Sequence, residues 1–161
     1  MSDRLEVTRT IPAPAAEIFA VLTDPQGHVA IDASGMLMSA DGGRVTAIGD
    51  EFAVHMDREA LGDLPMGEYD VTVTISQFAP DALIAWTILG TVRPPIGHEY
   101  GYSLEPQGDS TLVTSFYDWS KIAPSWRESG IFPVISEANL KGTLGILDRT
   151  VRRGYPHATP R

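Results

Sequence analysis

Three side chains near residue 100 are spaced so that they could bind a ligand or move a proton. His98, Tyr100 and Tyr102 occupy alternate positions, so on a strand they share one face. A phenol on an apolar wall can hydrogen-bond a ligand carbonyl or shuttle a proton, and an imidazole can act as an acid or a base. The alternative interpretation is ordinary core aromatics whose hydroxyl groups reach the surface or a backbone carbonyl.

Two carboxylates are candidates to act beside them. His28 and Asp32 are four residues apart, which on a helix would make them a polar entrance or an acid–base pair. The alternative is a solvated His28 and an Asp32 that caps the following turn. Asp118 is a candidate base if its side of the last strand faces inward, and a rim residue that pairs or bonds the next loop if it does not. The sequence decides neither the role of His28 and Asp32 nor the side of the last strand that faces inward.

The sequence predicts no metal and no cofactor. His55 and Asp57 lie on one strand face, but two ligands do not make a metal site. The chain has no cysteine, no His-Glu-x-x-His, no Gly-rich nucleotide loop and no Gly-x-Ser-x-Gly motif. Disulfides, thiolate catalysis and Cys-based zinc sites are therefore excluded.

The elements that must position these residues follow from hydrophobic periodicity. A strand is predicted around residues 5–11, then a short helix that ends at Asp24-Pro25, and a further helical turn or two over 26–34. From Met36 to about Trp119, short alternating runs separated by turn residues predict an antiparallel meander of six strands. Met36 and Met38 alternate in the first of these strands.

The last predicted element is an amphipathic helix that begins after Ser136 and ends near Gly154. Its glycines weaken helix propensity, so packing or a ligand must account for them. One face must be covered, and we expect part of the sheet to cover it. The apolar stripe of the helix is Leu140, Leu144, Leu147 and Val151, the glycines are Gly142 and Gly145, and the expected sheet partners are Tyr69, Val73, Trp86 and Tyr102.

Composition and charge limit the class of protein and its partners. A length of 161 residues suits one domain over 1–161, and a net charge of −9 makes nucleic acid a poor partner. The sequence has no apolar run of about 18 residues, so no membrane span is expected. Residues 1–6 lack the features of a secretory signal, which favours a cytoplasmic location. Trp126, Ile131 and Phe132 are apolar residues in the long 120–135 connection, and they leave a homodimer open.

The order of these elements resembles the helix-grip fold of the START, Bet v 1 and polyketide cyclase (SRPBCC) superfamily. VTRTIPAPAAEIF at 7–19 resembles its opening strand and helix. HVAIDASG at 28–35, LEP at 104–106, YDWS at 117–120 and the 140–147 pattern resemble an actinobacterial polyketide cyclase/dehydrase-like subgroup. The resemblance implies an α+β fold with a curved antiparallel sheet of about seven strands around a long C-terminal helix, two short helices after the first strand, and a hydrophobic cavity between sheet and helix.

Such a cavity makes binding of a small hydrophobic ligand, such as a lipid or polyketide, the first functional hypothesis. The expected lining is Met36, Phe52, Val73, Trp86, Tyr100, Tyr102, Leu144 and Leu147. The second hypothesis is a cyclase or dehydratase in which Tyr100, Tyr102, His98 or Asp32 moves protons. A third, a structural or stress-response partner whose cavity is incidental, would be supported by a filled core.

Overall fold

One seven-stranded antiparallel sheet organises the chain in the computed structural model, which describes residues 3–59, 62, 66–90 and 95–155. The elements are β1 (Arg4–Ile11), α1 (Ala15–Leu22), α2 (Pro25–Ile31), β2 (Leu37–Asp41), β3 (Glu51–Asp57), β4 (Glu68–Ala79), β5 (Leu83–Leu89), β6 (Glu99–Gln107), β7 (Ser110–Asp118), α3 (Pro124–Ser129) and α4 (Glu137–Arg152). The strand order is β1-β7-β6-β5-β4-β3-β2, which confirms the predicted six-strand meander and adds β1 beside β7. None of the helices described is long and apolar enough to cross a membrane.

The two helices after β1 form for reasons that are visible in the sequence. Asp24 caps α2 by accepting a hydrogen bond from the Gln26 N–H (3.1 Å), and Pro25 occupies the first helical position, where its missing N–H is harmless. The helix ends at Ile31, earlier than the predicted 26–34 segment, because Asp32 organises a separate turn.

α4 begins as predicted, because the Ser136 hydroxyl oxygen accepts a hydrogen bond from the Asn139 N–H (3.0 Å). Leu140, Leu144 and Leu147 are buried, and the helix packs mainly against β1, β7, α1 and α2. The expected covering face of Tyr69, Val73, Trp86 and Tyr102 is therefore corrected. The helix packs on the β1–β7 end of the sheet, and a cavity separates its N-terminal half from Val73, Trp86 and Tyr102.

A buried carboxylate fixes α4 to β1. The Asp148 side chain is only 2% exposed, and its oxygens accept hydrogen bonds from Arg9 Nε (2.7 Å) and Arg152 Nε (2.5 Å). The Arg152 guanidinium, followed by Arg9, holds the pKa of Asp148 below its usual range. A carboxylate this deeply buried is tolerated because both charges that face it are opposite.

Close packing accounts for two glycines but not a third. The Phe116 ring lies over Gly101 on the outer face of the sheet, and a Cβ there would stand 2.3 Å from the ring. A Cβ on Gly142 of α4 would meet Ala33 Cβ at 3.3 Å, so this glycine allows a close approach of the segment after α2. Beside Gly145 the nearest atom is Arg9 Nη1 at 4.0 Å, which leaves room for a side chain.

A bulge in β2 separates two methionines that simple alternation places on one face. The pairing register with β3 shifts between Leu37 and Ser39. Met38 is consequently 55% exposed, whereas Met36 points to the inner side of the sheet.

Candidate ligand cavity

Two adjoining chambers lie on the inner side of the sheet. The first, here called the helix chamber, has a volume of about 120 Å³ and lies below α2 and the N-terminal half of α4. Its lining is His28, Ile31, Asp32, Ser34, Met36, Leu37, Val54, Met56, Val73, Trp86, Ile88, Tyr100, Gly101, Tyr102, Ser115, Phe116, Ile135, Asn139, Leu140 and Thr143.

The second, here called the loop chamber, has a volume of about 150 Å³ and lies below α3 and its flanking loops. Its lining is Met36, Met56, Arg58, Met66, Tyr69, Val71, Ile88, Gly90, Pro95, Ile96, His98, Tyr100, Trp126, Ile131 and Val134. Four residues line both chambers and form the partition between them: Met36, Met56, Ile88 and Tyr100.

The structure places five of the eight predicted lining residues on the helix chamber, namely Met36, Val73, Trp86, Tyr100 and Tyr102. Phe52, Leu144 and Leu147 lie outside both linings and belong to the packed core. The two leucines lie beyond the chamber because α4 there rests on β1 and β7. On this helix the chamber is instead lined by Asn139, Leu140 and Thr143.

Stacked aromatic rings stiffen the wall of the helix chamber. Trp86 is stacked with Tyr100 at 6.1 Å between ring centroids and lies 5.8 Å from Tyr102. The His28 ring meets Trp86 edge-on at 4.7 Å. These contacts hold the rings in fixed positions, so the shape of this wall is largely set before a ligand enters.

His28 is not solvated, so that alternative is wrong; it does not hydrogen-bond to Asp32, although both residues line the helix chamber. It is buried, and its Nε2–H donates to the Leu22 carbonyl oxygen (2.8 Å). Burial lowers its pKa, which keeps the imidazole neutral. The signal in the sequence is the Asp24-Pro25 helix start, which makes α2 regular and turns His28 inward.

Asp32 lines the helix chamber, but its carboxylate is occupied by its own turn. Its two oxygens accept hydrogen bonds from Ser34 N–H (3.0 Å), Ser34 Oγ–H (2.7 Å), Gly35 N–H (2.8 Å) and Leu37 N–H (3.2 Å). The turn-capping alternative therefore describes its position. These bonds use the oxygens that an acid–base role would need.

The last strand turns its odd-numbered residues inward. Ser115, Tyr117 and Trp119 are buried, and Ser115 lies opposite Tyr102 in the β6–β7 pairing. Asp118 lies on the other side, where it accepts hydrogen bonds from Arg4 Nη1 (3.3 Å) and Ser120 N–H (2.8 Å). Asp118 is therefore a rim residue, as in the second of the two alternatives.

A buried cluster of one histidine and two tyrosines lies between the two chambers. His98 Nδ1 lies 2.7 Å from the Tyr117 hydroxyl, and the centroids of the Tyr117 and Tyr100 rings are 4.6 Å apart. Burial lowers the pKa of His98 to about 4 and raises the pKa of both tyrosines. All three side chains of this Tyr100–Tyr117–His98 cluster are thus neutral at pH 7.

Sequence reasoning missed Tyr117 as a member of this cluster. The strand's alternation placed aromatics on both faces, so the inward face could not be chosen from it. The missing information is the pairing of Tyr100 with Tyr117 across β6 and β7.

The apolar residues of the 120–135 connection cover the loop chamber. Trp126 of α3 and Ile131 line it, and Phe132 meets His98 edge-on at 6.0 Å. Arg127 Nη1 donates to Asp3 (2.9 Å), which ties α3 to the start of β1. Trp126 is therefore turned toward the chamber, whereas Ile131 is still 44% exposed. In the described part of the chain, no group of three or more His, Asp or Glu side chains could hold a metal ion.

One relative in sequence has no established activity. The chain is 28% identical over 153 residues to the uncharacterized protein Rv0088 of Mycobacterium tuberculosis, and the match covers 89% of this chain and 62% of that protein. The chain thus spans about three fifths of the length of this curated relative. No model of a known protein family matches the chain.

Similarity to solved structures decides the fold. Protein CV1439 of Chromobacterium violaceum superposes with a TM-score of 0.67 and 13% identity, covering 94% of this chain and 98% of that one. The Zhui aromatase/cyclase of a Streptomyces species superposes with a TM-score of 0.65 and 16% identity, covering 96% of this chain and 98% of that one. The chain has the helix-grip fold. The α+β class predicted from the resemblance is confirmed.

At these identities the likeness to helix-grip structures concerns architecture and not activity. What the helix-grip architecture explains is the position of the cavity, between the inner sheet face and α4 with its neighbouring helices. The residues that determine its chemistry are those of this chain.

Proposed function

We propose that this protein binds an apolar or aromatic small molecule, such as a polyketide or a lipid, across the two chambers. The observation that carries the proposal is the pair of adjoining chambers of about 120 and 150 Å³ that share one partition. An apolar cavity of about 150 Å³ in another protein accepts benzene, so each chamber is large enough for about one ring. The fitting ligand has two ring-sized parts or an equivalent elongated shape.

Two polar groups of the helix chamber are already hydrogen-bonded within the protein. His28 donates to the Leu22 carbonyl, and Asp32 is used by its turn. An apolar ligand beside them does not have to replace either set of bonds. Burial of apolar surface at about 25 cal/mol per Å² then supplies most of the affinity, so a ligand that buries roughly 300 Å² gains about 7 kcal/mol before the costs of association.

Titration with trans-stilbene, an uncharged fluorescent apolar molecule with two rings, tests this proposal. We expect saturable binding at one site, with displacement by non-fluorescent two-ring hydrocarbons. Thr143→Phe places a ring in the helix chamber and should weaken binding about tenfold, because the ring takes up the space of the ligand.

The matched control is Lys141→Phe, which adds the same ring to an exposed position of α4. We expect its affinity to equal that of the unchanged protein. An absence of saturable binding, or equal effects of the two substitutions, contradicts the proposal.

A cyclase or dehydratase is the second candidate, and the Tyr100–Tyr117–His98 cluster is the observation that favours it. Neutral acids and bases beside an apolar cavity can donate a proton to a bound molecule or accept one from it. Zhui, named an aromatase/cyclase, shares the fold. This candidate predicts turnover of a polyketone analogue that falls at least tenfold in Tyr100→Phe while affinity for the apolar probe is kept. Binding of the analogue without turnover removes it.

Three expectations from the sequence stay predictions beside this proposal. They are a single domain over residues 1–161, a cytoplasmic location and a homodimer.

A further inference from the structure

We propose that His98 recognises one neutral oxygen atom of the ligand, so that the ligand is an apolar molecule with a hydroxyl or carbonyl group at the end that lies in the loop chamber. The inference rests on the proposed function, since it requires an apolar ligand in the cavity. It adds the chemical group that the ligand carries and the direction in which it lies.

The position of His98 Nε2 is the first step of the argument. His98 is 5% exposed and lines the loop chamber, and its Nδ1 is engaged by the Tyr117 hydroxyl. Among the described residues, none hydrogen-bonds to Nε2, yet no buried side-chain nitrogen or oxygen there lacks a partner. Nε2 must therefore reach the surface of the chamber, where a ligand can meet it.

The second step is that the His98–Tyr117 pair can present either a donor or an acceptor at Nε2. If the Tyr117 O–H donates to Nδ1, then Nε2 carries the hydrogen and can donate to a carbonyl oxygen. If Nδ1–H donates to the Tyr117 oxygen instead, Nε2 is an acceptor for a hydroxyl.

The third step concerns charge. Because the imidazole is buried and neutral at pH 7, it offers an acidic group no charge partner. Arg58 also lines the loop chamber and already has an interaction within the protein. A carboxylate-bearing ligand would rely on Arg58 and not on His98, so an acidic analogue separates the two sources of recognition.

Three ligands of one shape test the inference on the unchanged protein by calorimetry at pH 7: biphenyl, 4-phenylphenol and biphenyl-4-carboxylate. We expect 4-phenylphenol to bind roughly tenfold more tightly than biphenyl, because biphenyl leaves Nε2 without a partner in a dehydrated chamber. We expect the carboxylate to bind more weakly than the phenol. Equal affinities of biphenyl and the phenol, or strongest binding of the carboxylate, overturn the inference and leave the proposed function standing. Failure of all three to bind overturns both.

His98→Asn then assigns the preference to His98. The asparagine amide keeps a polar group near the place of Nδ1 for Tyr117 and removes the group at Nε2. We expect the roughly tenfold preference for the phenol to fall below twofold. The matched control is Tyr155→Phe, which removes a hydroxyl that lies outside both chambers and donates to Asp24, and it should keep the preference. If the preference survives in His98→Asn or disappears in Tyr155→Phe, recognition by His98 is wrong.

Discussion

The two ends of α4 have different surroundings, although one apolar stripe runs along both. At the N-terminal end, Leu140 and Thr143 line the helix chamber. At the C-terminal end, Leu144 and Leu147 are packed into the core, and Asp148 is held by two arginines. A helix can therefore serve a cavity and a core with the same spacing of leucines, and the difference lies in what the sheet places opposite each end.

Truncating one leucine at each end gives the largest expected contrast. Leu147→Ala should lower the free energy of unfolding by about 2–5 kcal/mol, because a side chain with 0% exposure leaves a new void. Leu140→Ala should cost about half as much, since one side of Leu140 already faces the helix chamber. Urea denaturation measures both. Equal losses would mean that the chamber beside Leu140 is closed in solution.

Acidification distinguishes the cavity from the core end of α4 by pH range. The cavity contains His98, in the loop chamber, whose pKa is about 4 in the folded protein against the usual 6.5. The unfolded chain takes up this proton first, so stability is lost as pH falls from 6.5 toward 4, by about 2 kcal/mol between pH 7 and pH 5. The core end depends on Asp148, whose pKa is lowered, so its contribution is lost only as pH falls through that lower value.

The measurement is the free energy of unfolding against pH for the unchanged protein and for His98→Asn. Between pH 7 and pH 5, the variant should not show the decrease of about 2 kcal/mol in the free energy of unfolding that is due to His98. Buried His28 contributes in the same direction in both proteins, and His55, whose pKa is raised by Asp70 and Glu68, contributes in the opposite direction in both. A parallel pair of curves would contradict the assignment to His98.

The two glycines of α4 give the smallest effect. Gly145→Ala should raise the free energy of unfolding by roughly 0.5–1 kcal/mol, because alanine favours the helix and the space beside Gly145 is open. Gly142→Ala should gain less, since its Cβ would press on Ala33 at 3.3 Å. Thermal unfolding of the two variants checks the order. A larger gain at Gly142 would show that the segment after α2 moves readily to make room for the added methyl group.

The fold could be predicted because each element carries its own local signal. Pro25 after Asp24 starts α2, Ser136 starts α4, and the alternation of Val71, Val73 and Ile75 gives a strand with one buried face. These signals depend on neighbours within a few residues, which a single sequence contains.

The site was predicted less well because it depends on pairing between distant residues. Trp86, Tyr100 and Tyr102 reach the helix chamber as the alternation predicted. The sequence does not show that Tyr117 pairs with Tyr100, that a bulge turns Met38 outward, or that Leu144 lies beyond the chamber. Each of these facts is set by strand register or by the placement of a helix on the sheet.

The bulge in β2 also determines how the methionines respond to peroxide. Met38 is 55% exposed and should become a sulfoxide at the same rate whether or not the cavity is filled. Met36 and Met56 border both chambers, so a bound molecule shields their sulfur atoms from the oxidant. Oxidation of Met38 is therefore an internal reference, and oxidation of Met36 and Met56 reports on the cavity. Mass spectrometry of the three methionines can measure how much of the cavity is occupied without a dye.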